Sequence, residues 1–364
     1  MKIAQIAPLY EAVPPRLYGG TERVVAHLCD ALVEQGHDVT LFSSADARTR
    51  AKLVVVRDEA IRLDPAPLKS DLAAHLSMLA EVRDRAGDFD VLHFHVDMIH
   101  FPFFEAIAAR TLTTLHGRLD VKDLSGLYAR WPAYPLVSIS DHQQGYLPNA
   151  NWAATVHHGV SAELCRFSPR GEGYLAFLGR ISPEKRPDRA IAIAKRLGRR
   201  LKIAAKVDAV DVRYFREEIE PLLDDPLIEF IGEIGDAAKS EFLGRADALL
   251  FPIDWPEPFG LVMIEAMGCG TPVVAWRCGS TSEVVEPGVT GFLVTSEEEA
   301  CHAVEQAVTL SRSAIRRRFE LRHSAAAMAR RYVNIYGTLL GARATPCRDT
   351  GATSRLDAER IQTA

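Results

Sequence analysis

Short apolar runs alternate with amphipathic stretches from one end of the chain to the other. In the first half the apolar runs fall at residues 3–7, 39–42, 53–56, 91–95, 113–116, 136–140 and 155–158. In the second half they fall at 174–178, 201–205, 228–231, 248–252, 273–276 and 291–294. Runs of four to six apolar residues between turn signals predict buried strands, and the intervening stretches at 21–35, 187–197, 212–223 and 239–246 carry helical spacing. Alternation of this kind predicts parallel sheets wrapped by helices, an α/β class, and so many strands predict two doubly wound, Rossmann-like domains. A short polar segment at 158–170 reads as the linker, dividing the chain into 1–160 and 161–324. The last strong helical pattern covers 325–340, and from Gly341 periodicity is lost, so a mobile tail is expected over 342–364.

Segment 251–274 (FPIDWPEPFGLVMIEAMGCGTPVV) carries the densest chemistry. A buried strand ends near Ile253, and Pro256, Pro258 and Gly260 force a turn. Leu261 to Met267 are helix formers, and Gly268 and Gly270 end the helix. The helix thus starts just past a strand's carboxyl end, where open parallel sheets bind ligands, and its free N–H groups suit a phosphate. Glu257 and Glu265 have seven residues between them, one on the turn and one in the helix. Glu265 lies roughly 7–8 Å along the axis from the helix start, at about 1.5 Å per residue. A nucleotide diphosphate sugar fits: diphosphate on the turn Phe259-Gly260-Leu261-Val262, ribose on one carboxylate and sugar on the other. Taken alone, the two carboxylates suit a solvated turn and helix equally well.

Composition narrows the classes. The chain has 364 residues, 48% hydrophobic and 25% charged, with a net charge of −5. That is a globular chain with no broad nucleic-acid footprint. No apolar run reaches about 18 residues, so no transmembrane segment is expected. The chain enters a strand at once, which leaves no room for a signal peptide. The six cysteines are scattered without a Cys-x-x-Cys pair and read as reduced thiols, so a cytoplasmic location is expected. Gly-x-Gly-x-x-Gly and Gly-x4-Gly-Lys-Ser/Thr loops are both missing, which removes the dehydrogenase and P-loop readings.

Loop 179–187 (GRISPEKRP) follows a strand and projects Arg180 and Lys185, a fork and a point charge suited to a diphosphate. Arg186 and Arg189 read as surface residues. Tyr18-Gly19-Gly20-Thr21 follows the first strand after a long loop, and the paired glycines allow backbone to approach a ligand. His116 ends a strand and precedes a glycine; His93 and His95 share one strand face. The set, in this order, resembles the retaining glycosyltransferases of family 4, whose Glu-x7-Glu motif matches Glu257 and Glu265. That resemblance implies the GT-B architecture, two Rossmann-like domains facing a cleft, with the final helix at 325–341 crossing back to the first domain.

It further implies that Arg180 and Lys185 bind the donor diphosphate and stabilise the leaving group. It places Gly19 and Gly20 near phosphate and acceptor, and His116 and Glu257 at the transferred sugar. Glu265 takes the ribose, and Ile231 and Gly232 read the base. A UDP-sugar is the preferred donor and GDP-mannose the next, with an unidentified saccharide, lipid-linked saccharide or small metabolite as acceptor. The nucleotide sugar is a co-substrate, and no cofactor or metal is expected. A sugar-nucleotide epimerase and a non-catalytic nucleotide-sugar-binding protein are the alternatives.

Ser280 to Ser282 and Ala205 depart from the family's glycine-rich versions of those loops, so Lys206 or Asp208 could face the donor. Asp88 and Asp90 have a metal-carboxylate spacing but precede a buried strand and are discounted. The basic run from Arg312 to Arg331 reads as a solvated helix face.

Overall fold

The computed structural model describes residues 1–17 and 19–344. The tail expected at 342–364 is corrected in its first three residues, which continue the helix Ala325–Ala344; the remainder lies outside the described residues.

The strands are β1 (Lys2–Ile6), β2 (Asp38–Ser44), β3 (Lys52–Arg57), β4 (Val91–Phe94), β5 (Thr111–Thr114), β6 (Leu136–Ser138), β7 (Trp152–Thr155), β8 (Tyr174–Arg180), β9 (Arg200–Lys206), β10 (Ile228–Gly232), β11 (Ala248–Phe251), β12 (Val273–Trp276) and β13 (Gly291–Val294). They form a seven-stranded sheet, ordered β3-β2-β1-β4-β5-β6-β7, and a six-stranded sheet, ordered β10-β9-β8-β11-β12-β13. Every recorded ladder is parallel, from Ile3 opposite Val39 and Val91 in the first sheet to Leu249 opposite Ala176 and Val273 in the second. Strand order reverses between β1 and β4 and again between β8 and β11. A crevice opens past the carboxyl ends of strands at such a switch point, because the flanking loops leave in opposite directions.

Two segments differ from the sequence expectation. The apolar run at 155–158 overlaps β7 only at Thr155: the strand starts three residues earlier, and Trp152, Ala154 and Thr155 pair with β6. The stretch 212–223 is broken into a helical turn Val212–Tyr214, a π-turn Phe215–Ile219 and a 3-10 turn Glu220–Leu222. Pro221 is the cause, since it has no N–H and its ring crowds the carbonyl four residues back.

The crossing helix Ala325–Ala344 packs on the first sheet. Met328, Ala329, Tyr332 and Tyr336 share a core with Ile3 and Val91 and with Val25 and Leu28 of helix Gly20–Glu34. Two of the arginines before it, Arg312 and Arg316, are not solvated, which corrects that expectation for them, whereas Arg317 and Arg318 are exposed as expected. Arg312 donates to the carbonyls of Ser168, Ala246 and Gly244 and to Thr271 Oγ1. Arg316 donates to the carbonyls of Cys165, Gly268 and Ala162. These carbonyls end a helix and line the linker, where no ladder satisfies them, and one guanidinium fork collects several. Arg316→Ala therefore lowers stability by about 2 kcal/mol or more, at about 1.5–3 kcal/mol per charged hydrogen bond lost. A fall in the urea midpoint checks this; an unchanged midpoint refutes the clasp.

Candidate functional site

A cavity of about 890 Å³ lies between the two sheets, lined from both. The loops that leave β1, β4, β8 and β11, the four strands of the two switch points, all reach it.

Two helix N-termini meet there. Gly20 opens the helix Gly20–Glu34, and a methyl at its Cα would sit 3.6 Å from Leu261 Cδ1, the first residue of helix Leu261–Gly268. Gly260, at the N-cap, has φ 81°, and a Cβ there would meet Met263 Cε at 2.8 Å. A side chain is excluded both by this left-handed backbone and by space, so free N–H groups face the cavity undisturbed. Gly19, Phe259 and Val262 complete this end of the wall.

Arg180 is the last residue of β8, among Glu184, Asp208 at 3.6 Å and Asp211 at 3.7 Å. Lys185, on a 3-10 turn, contacts Glu257 and lies 4.8 Å over the Trp255 ring. Glu257 also accepts from Trp255 Nε1 at 3.0 Å. Its turn is braced from behind. Ser280 N–H donates to Glu257 O at 3.0 Å, and Ser280 Oγ to Phe259 O at 2.9 Å. Gly279 approaches so closely that a Cβ would lie 2.4 Å from Glu257 N. The departure at Ser280 thus adds one bond, from its Oγ, that a glycine could not supply to the carboxylate-bearing turn.

Glu265 is buried and accepts from Lys239 Nζ at 2.9 Å. Lys239 also reaches Asp236 at 3.3 Å, and Asp236 pairs with Arg23 of the first sheet's opening helix. Burial among positive charges has opposed effects on Asp236: desolvation raises its pKa, but Arg23 and Lys239 outweigh it and hold it below the usual carboxylate range. The two halves are therefore tied by an ion-pair chain that ends on Glu265. A second tie is Glu283, which accepts from the N–H groups of Asp141 at 2.7 Å and His142 at 2.8 Å and from His157 Nε2 at 3.0 Å.

His116 lies two residues past β5 and lines the cavity across from Arg180. Desolvation by burial lowers its pKa to about 3, so its ring is neutral. Its Nε2 lies 2.8 Å from His95 Nδ1, and its ring stacks on His158 at 5.1 Å. His93 points away from the cavity into the crossing helix, bonded to Tyr336 and Thr114.

Most of the residues expected at the site thus converge. Ile231 and Gly232 do not line the cavity; Ile231 is 41% exposed, and the next two residues, Glu233 and Ile234, form the wall. Pairing with β9 skips Ile231, with Phe230 opposite Ile203 and Gly232 opposite Ala204, and past this bulge the wall is taken up by Glu233 and Ile234. Lys206 lines the cavity and pairs with Asp208 at 2.9 Å. Asp90 accepts from Lys2 N–H at 2.8 Å at the start of β4, the end of the strand away from the cavity. Sequence reasoning gave no role to Lys239, Asp236 or Trp255; of the new partners Trp255 and Arg23 carried a positional signal, Trp255 two residues before Glu257 and Arg23 in the same segment as Gly19 and Gly20. Among the described residues no helix is long and apolar enough to cross a membrane.

Comparison with known proteins agrees with this geometry. Residues 166–331 match the family model for glycosyl transferases group 1, and residues 18–170 match that for glycosyltransferase family 4. A phosphatidyl-myo-inositol mannosyltransferase of Mycobacterium leprae is 26% identical over 350 residues, covering 88% of this chain and 90% of its own length. A glycogen synthase of Mycobacterium tuberculosis is 27% identical over 330 residues, covering 76% of this chain and 79% of its own. Among solved structures, AviGT4, a glycosyltransferase involved in avilamycin A biosynthesis, superposes with a TM-score of 0.73 at 25% identity, over 93% of this chain and 98% of that one. Anabaena HepE in complex with UDP-glucose shares the fold, with a TM-score of 0.69 at 18% identity, over 93% of this chain and all of that one (100%). The two family models between them take in residues 18–331, and the chain belongs to the family 4, group 1 glycosyltransferases, with the GT-B fold.

Proposed function

We propose that the protein moves a hexosyl group from a nucleotide diphosphate sugar, a UDP-sugar in preference to GDP-mannose, to an acceptor hydroxyl with net retention at the anomeric carbon. The observation that carries this reading is the meeting of two helix N-termini with Arg180 and Lys185 at one end of a cavity whose walls hold Glu257 and Glu265. The diphosphate sits at the helix ends, the ribose hydroxyls on Glu265 and the sugar hydroxyls on Glu257. The bond from the anomeric carbon to the diphosphate oxygen breaks as negative charge builds on that oxygen, and Arg180, Lys185 and the N–H groups stabilise it. The acceptor oxygen bonds to the same face of the sugar, and its proton passes to the departing phosphate oxygen. A UDP-sugar is favoured because the neighbour HepE is solved with UDP-glucose; the relatives named as mannosyltransferases support a mannosyl donor as the second choice.

Thermal shift with UDP, GDP and ADP tests the donor. A nucleotide at about 100 times its Kd adds about 2.7 kcal/mol of stability, a shift of several degrees. UDP is expected to give the largest shift, and no shift from any of the three contradicts the reading. Because basic side chains and N–H groups already neutralise the diphosphate, turnover is expected to survive EDTA treatment. An absolute Mn²⁺ or Mg²⁺ requirement would overturn that charge assignment.

A further inference from the structure

The Glu257 carboxylate is held at one oxygen. Its two hydrogen-bond donors among the described residues, Lys185 Nζ and Trp255 Nε1 at 3.0 Å, both meet Oε2. The other oxygen, Oε1, has no hydrogen-bond partner among the described residues and is not closed off from solvent, on a residue that lines the cavity. These bonds run one way only, because an indole N–H and an ammonium donate and a carboxylate accepts. The carboxylate is thus fixed at one end and open at the other.

Trp255 holds this arrangement twice over. Besides the indole bond, its backbone carbonyl accepts from Glu257 N–H at 2.8 Å, closing a three-residue turn around Pro256, whose fixed φ suits it. Asp254 N–H donates to Glu184 O at 2.8 Å, tying the same turn to the loop that carries Lys185. Two cations lie over the indole ring, Lys185 Nζ at 4.8 Å from its centre and the Arg118 guanidinium at 5.4 Å. Arg118 comes from the other half of the molecule, two residues past His116 on the loop after β5, and lines the cavity as Trp255 does. Asp120 orients it, accepting from Nε at 2.8 Å and from Nη2 at 2.6 Å. An arginine of the first half thereby rests on the ring that holds a carboxylate of the second.

We propose that Trp255 is a positioning residue that presents Glu257 Oε1 to a hydroxyl of the transferred sugar, and that Arg118 steadies its indole from across the cavity. The inference rests on the reading of Glu257 as the sugar-side carboxylate. Without the indole N–H, Oε2 keeps only Lys185, a point charge on a flexible stem that the diphosphate also recruits, and the carboxylate is free to turn. The loss then falls on the reacting sugar and spares the nucleotide, whose contacts lie at Glu265 and the helix ends. Arg118 also makes the order of the site depend on the two halves standing together, since the guanidinium leaves the ring if they part.

Trp255→Phe keeps an aromatic face for both cations and removes the indole N–H. It is expected to lower kcat on the nucleotide sugar by about tenfold, the scale of one hydrogen bond to a charged group, with free nucleotide affinity kept within about twofold. Arg118→Ala is expected to lower kcat by about threefold, the scale of an exposed cation–π contact. In the Trp255→Phe background it is expected to lower kcat no further, because the link to Glu257 is already cut. If Trp255→Phe does not fold, Trp255→Leu is read in its place by the same criteria. A folded variant with wild-type kcat, or one that loses nucleotide affinity as much as kcat, overturns the positioning role. Equal losses from Arg118→Ala in both backgrounds overturn the steadying role. Trp255 fluorescence, isolated as the difference between matched proteins with and without this residue, needs no substrate. Arg118→Ala is expected to move that emission to longer wavelength as the ring opens to water, and an unchanged emission overturns the contact. A failure of the donor reading shows separately, as wild-type protein without turnover on any nucleotide sugar.

Discussion

Arg180→Ala combined with Lys185→Ala is expected to lower kcat/KM for the donor by about 100- to 10,000-fold, from about 1.5–3 kcal/mol for each charged hydrogen bond to the leaving group. Two features of the site push toward the upper part of that range. Arg180 stands among three carboxylates, those of Glu184, Asp208 and Asp211. Its removal leaves their charge facing a diphosphate, adding repulsion to lost attraction. Lys185 pairs with Glu257, so the double variant also strips the sugar-side carboxylate of its cation. Steady-state kinetics with the folded variant, checked by circular dichroism, measures the effect. Unchanged donor affinity and turnover would refute the assignment of the two cations.

The second large effect separates the carboxylates. Glu265→Ala is expected to weaken free nucleotide binding by about tenfold or more, since a buried charged acceptor is worth roughly 1.5–3 kcal/mol. Glu265 ends the chain Arg23–Asp236–Lys239, so the loss also slackens a contact between the two halves. Glu257→Ala is expected to leave free nucleotide affinity within about twofold and to reduce turnover of the intact donor by about 100-fold, the scale of one group acting at the reacting sugar. Calorimetric titration of the nucleotide, set beside kinetics of the nucleotide sugar, distinguishes the two. If both variants lose stability alone and keep donor kinetics, neither carboxylate belongs to the site.

The reach of sequence reasoning is physically intelligible. Strands showed clearly because parallel strands are buried on both faces and read as continuous apolar runs. Helix Asp71–Asp84 was missed because Leu72 and Leu76 are exposed while His75 is buried, so no apolar stripe marks it. Glu257, Glu265, Arg180 and Lys185 were legible because each sits at a fixed offset from a strand end or helix start. Their partners were not. Lys239 meets Glu265 from another helix, and Gln5 meets His95 from another strand, pairings that only the fold creates. Arg312 and Arg316 misled because a charge run looks alike whether it meets water or orphaned carbonyls.

The central claim is that the cavity breaks a nucleotide diphosphate sugar at the anomeric carbon and passes the sugar on with its configuration kept. Proton NMR of the wild-type protein at high concentration with UDP-glucose, without an added acceptor, follows the slow transfer to water. The account predicts release of UDP together with glucose that first appears as the α anomer, before mutarotation. First appearance of the β anomer would contradict retention, and conversion of UDP-glucose to an isomeric nucleotide sugar without glucose release would contradict transfer.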